Sequence, residues 1–294
     1  MDSPRAAVRR VVTGAAAPGR DRRAAAAIGR HARLELVFGY RHGRTVLTRA
    51  YAEPPFKVGR PVDVGSTASL ILVCAAPGVF PGDELRQTVR VEAGAHVALR
   101  SQSALQAHPG AGLAARLEAR YEVAAEAELA CVWDPLIPFP EARIAQRIEI
   151  ALTPQSRLYW SDAMLTGRCA RGEAWVHTLL DHELRVSSDG VLEYLERYRL
   201  ASRAREVTAR WAAGAASHLS TILVHDPAPA SVTAEKLQHR VDAIEREDVQ
   251  AAFDTIAPHL IVGRLLASRG PAFAAARLAI EAAVRMGWEE WIGL

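Results

Sequence analysis

Lysine is almost absent from this 294-residue chain, which has only Lys57 and Lys236. A glycine-rich phosphate loop ending in Gly-Lys-Ser or Gly-Lys-Thr therefore has nowhere to sit, and nucleotide hydrolysis of that kind is excluded. Cysteine is scarce too. Cys74, Cys131 and Cys169 lie far apart with no paired spacing, which fits neither a disulfide framework nor a zinc knuckle and points to a reducing cytosol. There is no Gly-x-Ser-x-Gly elbow, no His-Glu-x-x-His and no Cys-x-x-Cys, so no recognisable catalytic set is present. The longest largely apolar run, Ala68 to Ala76, falls well short of the about 20 residues that cross a bilayer. The expectation is a cytoplasmic protein with no membrane segment and no tightly bound cofactor.

Half of the residues are apolar, enough for a good core as one large or two small domains. Residues 1–30 differ from the rest: seven arginines (5, 9, 10, 20, 22, 23 and 30) stand against Asp2 and Asp21 with alanine between them. That tail carries about +5 of a total of +3, leaving +3 − 5 = −2 for the body, so the basicity belongs to the tail and the body is no nucleic-acid binder by charge. Arg9-Arg10 resembles a twin-arginine export signal, but Thr13-Gly14 and Pro18-Gly19 follow and no apolar core develops. A disordered tail at 1–30 and one domain at 31–294, β-layered to 204 and β-α-β-α after it, is the expected organisation.

The body opens with strands. Leu34, Leu36 and Phe38 alternate along one strand, Arg41 to Arg44 form a turn, and Thr45-Val46-Leu47 return as the partner. Leu70 to Cys74 is a continuous apolar run, the pattern of a strand buried on both faces. Val89-x-Val91, a small-residue turn and Val97-x-Leu99 read as a half-buried hairpin, and the layout recurs at Tyr121 and Ile148, 32 and then 27 residues on (89 to 121 to 148). Such periods suggest stacked units that bury their open faces on one another, here a β-solenoid or layered β-sheet, with an ordinary β-sandwich as the alternative. Leu184 and Val186, Asp189-Gly190 and Val191 to Leu200 make a further hairpin. Then follow a strand at His218 to His225, a helix capped by Thr233, a strand at His259 to Leu266 and a helix opened by Pro271. On that last helix Arg277, Glu281 and Arg285 form a charged surface ladder. Trp288 and Trp291 pin the terminus.

Four motifs in order carry a family resemblance. They are Gly82-Asp83-x-Leu85, Val89 to Ala95 followed by Ser101-Gln102-x-Ala104, Asp134-Pro-Leu-Ile-Pro-Phe139, and Gly167-Arg168 with Gly172-Glu173. From about Leu34 to the C-terminus the chain resembles the UreD (UreH) urease accessory proteins. The resemblance implies a mainly β fold of right-handed β-helix type with two helices, here in the C-terminal third. It also implies a non-enzymatic scaffold that binds apo-urease and, with UreF-type and UreG-type partners, supports GTP-dependent nickel insertion, as a homodimer within the complex. Nickel would be in transit and GTP would be bound only by a partner.

Asp83 and Glu173 each sit beside glycine in a turn. Either they order local structure, Asp83 through backbone N–H groups and Glu173 through Arg168 or Arg171, or they offer transient contacts to a metal or partner. Arg60 (before Pro61), Gln102, Asp134 and Arg168 join them as nickel-path or partner-contact candidates by position in the motifs. His177, Asp181, His182 and Glu183 are the densest metal-like cluster, but strand alternation puts the two histidines on opposite faces. His225-Asp226 and His108 read as solvated turn residues and His96 as exposed. Two other function classes stay open: a carbohydrate-active β-helix enzyme using Asp134 and Asp162, which share no obvious face, and a partner-binding scaffold without nickel.

Overall fold

The computed structural model describes residues 29–110, 112–201, 213–228, 231–244 and 248–288. Residues 1–28, including the twin-arginine pair, and Trp291 lie outside the described residues. The chain is mainly β, a solenoid of about four turns followed by a C-terminal part with two helices. Its first coil starts with β1 (His31–Arg41), makes an excursion through β2 (Arg44–Ala52), β3 (Phe56–Val58) and β4 (Val62–Val64), and continues with β5 (Thr67–Cys74). The next coil is β6 (Glu84–Val91), β7 (His96–Ser101) and β8 (Leu105–Ala107), and the third is β9 (Ala115–Val123), β10 (Glu128–Val132) and β11 (Leu136–Pro138). The fourth is β12 (Arg143–Leu152), β13 (Arg157–Ser161) and β14 (Met164–Leu165). A small ribbon, β15 (Gly167–Arg168) with β16 (Glu173–Ala174), leads to β17 (Leu179–Ser188) and β18 (Val191–Ala201).

Corresponding strands stack in parallel. On the first face β1, β6, β9, β12 and β17 lie side by side, with β2 and β18 antiparallel at the edges. The second face stacks β5, β7, β10 and β13, and the third β8, β11 and β14. Alternation in each strand sends one set of side chains inward, so equivalent positions form columns. Leu36, Val89, Tyr121, Ile150 and Val186 make one buried column, and Leu70, Leu99, Cys131 and Trp160 face them from the second sheet.

Two expectations are corrected here. The repeated strand–turn–strand units are not hairpins: β6 pairs with β1 and β9, β7 pairs with β5 and β10, and the turn at Glu92 to Ala95 is a corner between faces. Only 31–52 and 179–201 behave as true hairpins among the units so read. Second, β5 is not buried on both faces. Leu70 and Leu72 point inward, whereas Ile71 between them is 48% exposed.

After the coils, β19 (His218–His225) runs antiparallel to β13 and β14 and closes the open edge of the solenoid. Next come α1 (Ala234–Asp242), β20 (Val249–Ala257), β21 (Leu260–Ala267) and α2 (Gly270–Gly287). Thr233 caps α1 by accepting the Lys236 N–H. Both helices bury an apolar stripe in a second core with Phe273, Ile280, Val284 and Trp288. The charged ladder of α2 is no solvated face: Glu281 is buried against Arg100, and Arg277 donates to the carbonyls of Trp133 and Ser161 at 2.9 and 3.0 Å. Trp288 is buried and donates to Asp226 at 2.9 Å. None of the described helices is long and apolar enough to cross a membrane.

Candidate functional site

The three faces of the solenoid do not meet across its whole length. A cavity of about 500 Å³ opens among β6, β9, β12, β17, β18, β13 and β21. One inward column explains its chemistry: Leu85, Leu117, Gln146, His182 and Tyr198 stand in register across five strands. Its first members are apolar and its last three are polar. The neighbouring column, Gln87, Ala119, Ile148, Leu184 and Glu196, leaves a gap at Ala119 and ends in an acid.

The polar end is tightly ordered. His182 is buried, stacks on Tyr198 with centroids 4.7 Å apart, and shares Nδ1 with Gln146 Oε1 at 2.9 Å. Its Nε2 has no hydrogen-bond partner. Burial holds the imidazole below its ordinary pKa, so it is neutral at neutral pH. Glu196 accepts from Thr221 Oγ1 at 3.0 Å and pairs with Arg264 at 3.1 Å. Burial raises its carboxyl above the usual range, against the pull of Arg264 and with a further push from Asp162. Asp162 itself accepts the Thr221 N–H at 2.9 Å. Two carboxyl groups and a neutral imidazole thus line one apolar-walled chamber.

Of the nickel-path or partner-contact candidates, Gln102 and Asp134 border this cavity. Asp134 is tied to the preceding coil through Ser101, whose hydroxyl meets its carboxylate at 3.0 Å and its N–H at 2.7 Å. Asp134 and Asp162 follow β10 and β13 in successive coils, and both line the cavity.

Asp83, Arg168 and Glu173 lie instead along an outer corner. Phe80, His108 and Phe139 follow one another there coil upon coil, the first pair stacked at 4.4 Å and the second edge-to-face at 5.0 Å. Arg30 covers one end of the ladder, 5.4 Å from Phe80, and Arg168 the other, 4.3 Å from Phe139. Each arginine holds one of the candidate acids. Arg30 grips Asp83 with its guanidinium and with its N–H at 2.9 Å, and Arg168 grips Glu173 at 2.9 Å. Gly167 is forced by this ribbon, since its φ is +147° and a Cβ would stand 2.0 Å from the Glu173 carbonyl oxygen. Arg60 is exposed between β3 and β4, apart from both groups.

The histidines sort differently from expectation. His177 lies before β17, and both it and His182 are buried, but the densest cluster does not converge: Asp181 pairs with Arg147 and Glu183 with Arg197. His225 and Asp226 are buried rather than solvated, because β19 is covered by β13 and β21. His108 is part of the corner ladder, and His96 is half-buried. Sequence reading missed Gln146, His182, Glu196 and Arg264 as a group. The available signal was a polar residue on an apolar face, as in Ile144-x-Gln146-x-Ile148.

Comparison with known proteins agrees along the chain. The family described as UreD urease accessory protein matches residues 30–293. A urease accessory protein UreD of Sorangium cellulosum (strain So ce56) is 32% identical over 218 residues, 74% of this chain and 69% of that protein. The corresponding protein of Sporosarcina pasteurii is 32% identical over 148 residues, 49% of this chain and 58% of its own length. For that of Trichodesmium erythraeum (strain IMS101) the figures are 31% over 152 residues, 50% and 54%. The match thus spans little more than half of the latter two relatives.

Proposed function

This chain belongs to the UreD family of urease accessory proteins, and from that premise we propose that it is a non-enzymatic maturation factor through which nickel reaches apo-urease. The family match over residues 30–293 carries the reading. UreF-type and UreG-type proteins are the partners, and the nucleotide energy comes from the GTPase, in keeping with a chain that has two lysines and no phosphate loop. Nickel is cargo here. The interior chamber is its route, with Asp162, Glu196 and His182 as successive weak donors. Oxygen and single-imidazole contacts favour exchange over retention, which delivery requires. The outer ladder, ending in the Arg168–Glu173 pair, is the partner-facing surface.

The test is co-expression. The chain is produced with cognate urease subunits and the two partner proteins, and the purified urease is assayed for nickel and activity with and without it. Nickel-poor urease in its absence is the expected result, and full loading without it overturns the reading. The shared wall of Asp134 and Asp162 gives glycan hydrolysis a specific footing as the second reading. Its signature would be turnover of an oligosaccharide by the isolated chain, lost in D162N.

A further inference from the structure

Three residues distant in sequence meet outside the cavity. Glu193 lies near the start of β18, His225 ends β19, and His259 stands in the turn between β20 and β21. Each offers one ligand atom, and the three atoms lie within 4.8 Å of one another. Among the described residues this is the single trio of His, Cys or acidic groups that converges in this way. None of the three lines the interior chamber.

The state of each group is defined by its neighbours. His225 is fully buried, and its Nδ1 lies 2.9 Å from the Ser156 carbonyl oxygen, an acceptor only. The ring proton is therefore on Nδ1, and Nε2 presents a lone pair. That Nε2 has no hydrogen-bond partner, and neither has the buried Oε2 of Glu193. Two such acceptors left unmet in the interior make the arrangement unfavourable unless something sits between them. An imidazole whose second nitrogen is held by a backbone carbonyl is also how histidine is oriented for metal. Glu193 Oε1 and His259 Nε2 are 2.8 Å apart, close to the roughly 3 Å that separates adjacent donors around an ion with bonds of about 2.0–2.1 Å. The ring of His225 stands edge-on to that of His259, with centroids 4.9 Å apart.

We propose that Glu193, His225 and His259 form a binding site for a divalent first-row transition metal ion. Two imidazoles and one carboxylate suit zinc, nickel or cobalt and select against calcium and magnesium. On binding, the Nε2 proton that His259 donates to Glu193 moves to the ring's Nδ1 or to solvent, and the ion draws those two part-exposed side chains toward the fixed ring of His225. Three protein donors leave one or more positions open, to water or to a partner's side chain. Because the ligands come from β18, β19 and the β20–β21 turn, the ion ties the end of the solenoid to the C-terminal sheet and stabilises the folded chain by mass action. The site is independent of the proposed interior route and stands or falls separately from it.

The experiment uses untagged full-length protein stripped with chelator and titrated calorimetrically with Zn²⁺ and with Ni²⁺, alongside thermal denaturation with and without each ion. Wild type should show a saturable site and a higher melting midpoint with metal. H225A, E193Q and H259Q should each weaken that site at least tenfold and lose the metal-dependent shift, while E149Q, at an exposed surface acid, retains both. E193Q and H259Q alter part-exposed side chains and keep the test valid if H225A does not fold. Undiminished binding in E193Q and H259Q, or wild type with no saturable binding and no shift, overturns the proposal and leaves a water-bridged hydrogen-bond cluster in its place.

Discussion

Asp83 is 2% exposed, and both of its carboxylate oxygens are engaged: one takes the Arg30 N–H at 2.9 Å, the other the Phe80 N–H at 2.8 Å and the Arg30 guanidinium. Burial alone would raise its pKa, but the Arg30 and Phe80 hydrogen bonds outweigh it and hold the carboxyl below its usual value. A folded pKa below the unfolded value of about 3.9 means that the stabilisation is present above that pH and lost as pH falls through the folded pKa. D83N should lower stability by about 1.5–3 kcal/mol at pH 7, read as a shifted denaturant midpoint, and the gap to wild type should shrink towards pH 3. Equal midpoints at pH 7 would contradict this. Glu173 differs in kind, because its pair with Arg168 is part-exposed and worth about 1 kcal/mol or less. E173A should therefore leave the midpoint nearly unchanged while reducing co-purification with the accessory partners; normal co-purification would remove Glu173 from the contact surface. The turn-ordering use of Asp83 and the Arg168 pairing of Glu173 were legible from glycine-flanked acids beside arginines. The Glu193, His225 and His259 trio was not, since its extremes are 66 positions apart and nothing local marks a histidine that the fold will bury.

At the scale of elements, alternation tells which side chains share a face but not which strand lies alongside. Val89-x-Val91, a turn and Val97-x-Leu99 have the same local pattern whether the turn reverses the chain or rounds a corner, so coil corners were read as hairpins. The Asp189-Gly190 hairpin was legible because both residues adopt positive φ, 46° and 80°, as a two-residue turn demands. Strand β20 carried little signal: of its nine residues only Val249 is buried, since it lies at the edge of its sheet. Helix α2 was found from Pro271, but its polar face was misjudged. Four-residue spacing of Arg277, Glu281 and Arg285 is normally a solvated ladder, whereas here Arg277 reaches two carbonyls and the Ser161 hydroxyl. Those bonds dock α2 on the third and fourth coils. R277A removes the donor to the Trp133 carbonyl, while the Ser161 carbonyl keeps the Trp133 N–H, and should cost about 1–3 kcal/mol. Limited proteolysis should then cut first at the start of α2, and a cleavage pattern like that of wild type would show that apolar packing alone holds the helix.

The solenoid was readable as a whole because its repeat survives in the spacing of apolar pairs, each unit needing its neighbours to bury its inner face. The chamber was not, because its volume depends on how columns from five strands add up: small Ala119 between Gln87 and Ile148, and polar Gln146 and His182 where Leu85 and Leu117 stand two coils earlier. That dependence offers a way to separate scaffold from conduit. Ala119 lines the chamber, and about 500 Å³ is ample for an indole, so A119W should fill space without the overpacking that usually penalises a small-to-large change. The variant should keep its denaturation midpoint within about 1 kcal/mol of wild type and should still co-purify with urease and the accessory partners, since no outer residue changes. Urease matured with it should carry markedly less nickel. E196Q removes a donor without blocking the space and should give a milder deficit, because the remaining oxygen and imidazole contacts still lead the ion. Full nickel loading with A119W in an intact complex would place the route elsewhere. A deficit shared equally by A119W and a distant surface variant would trace the loss to assembly, whereas a graded series from wild type through E196Q to A119W is what passage through the interior requires.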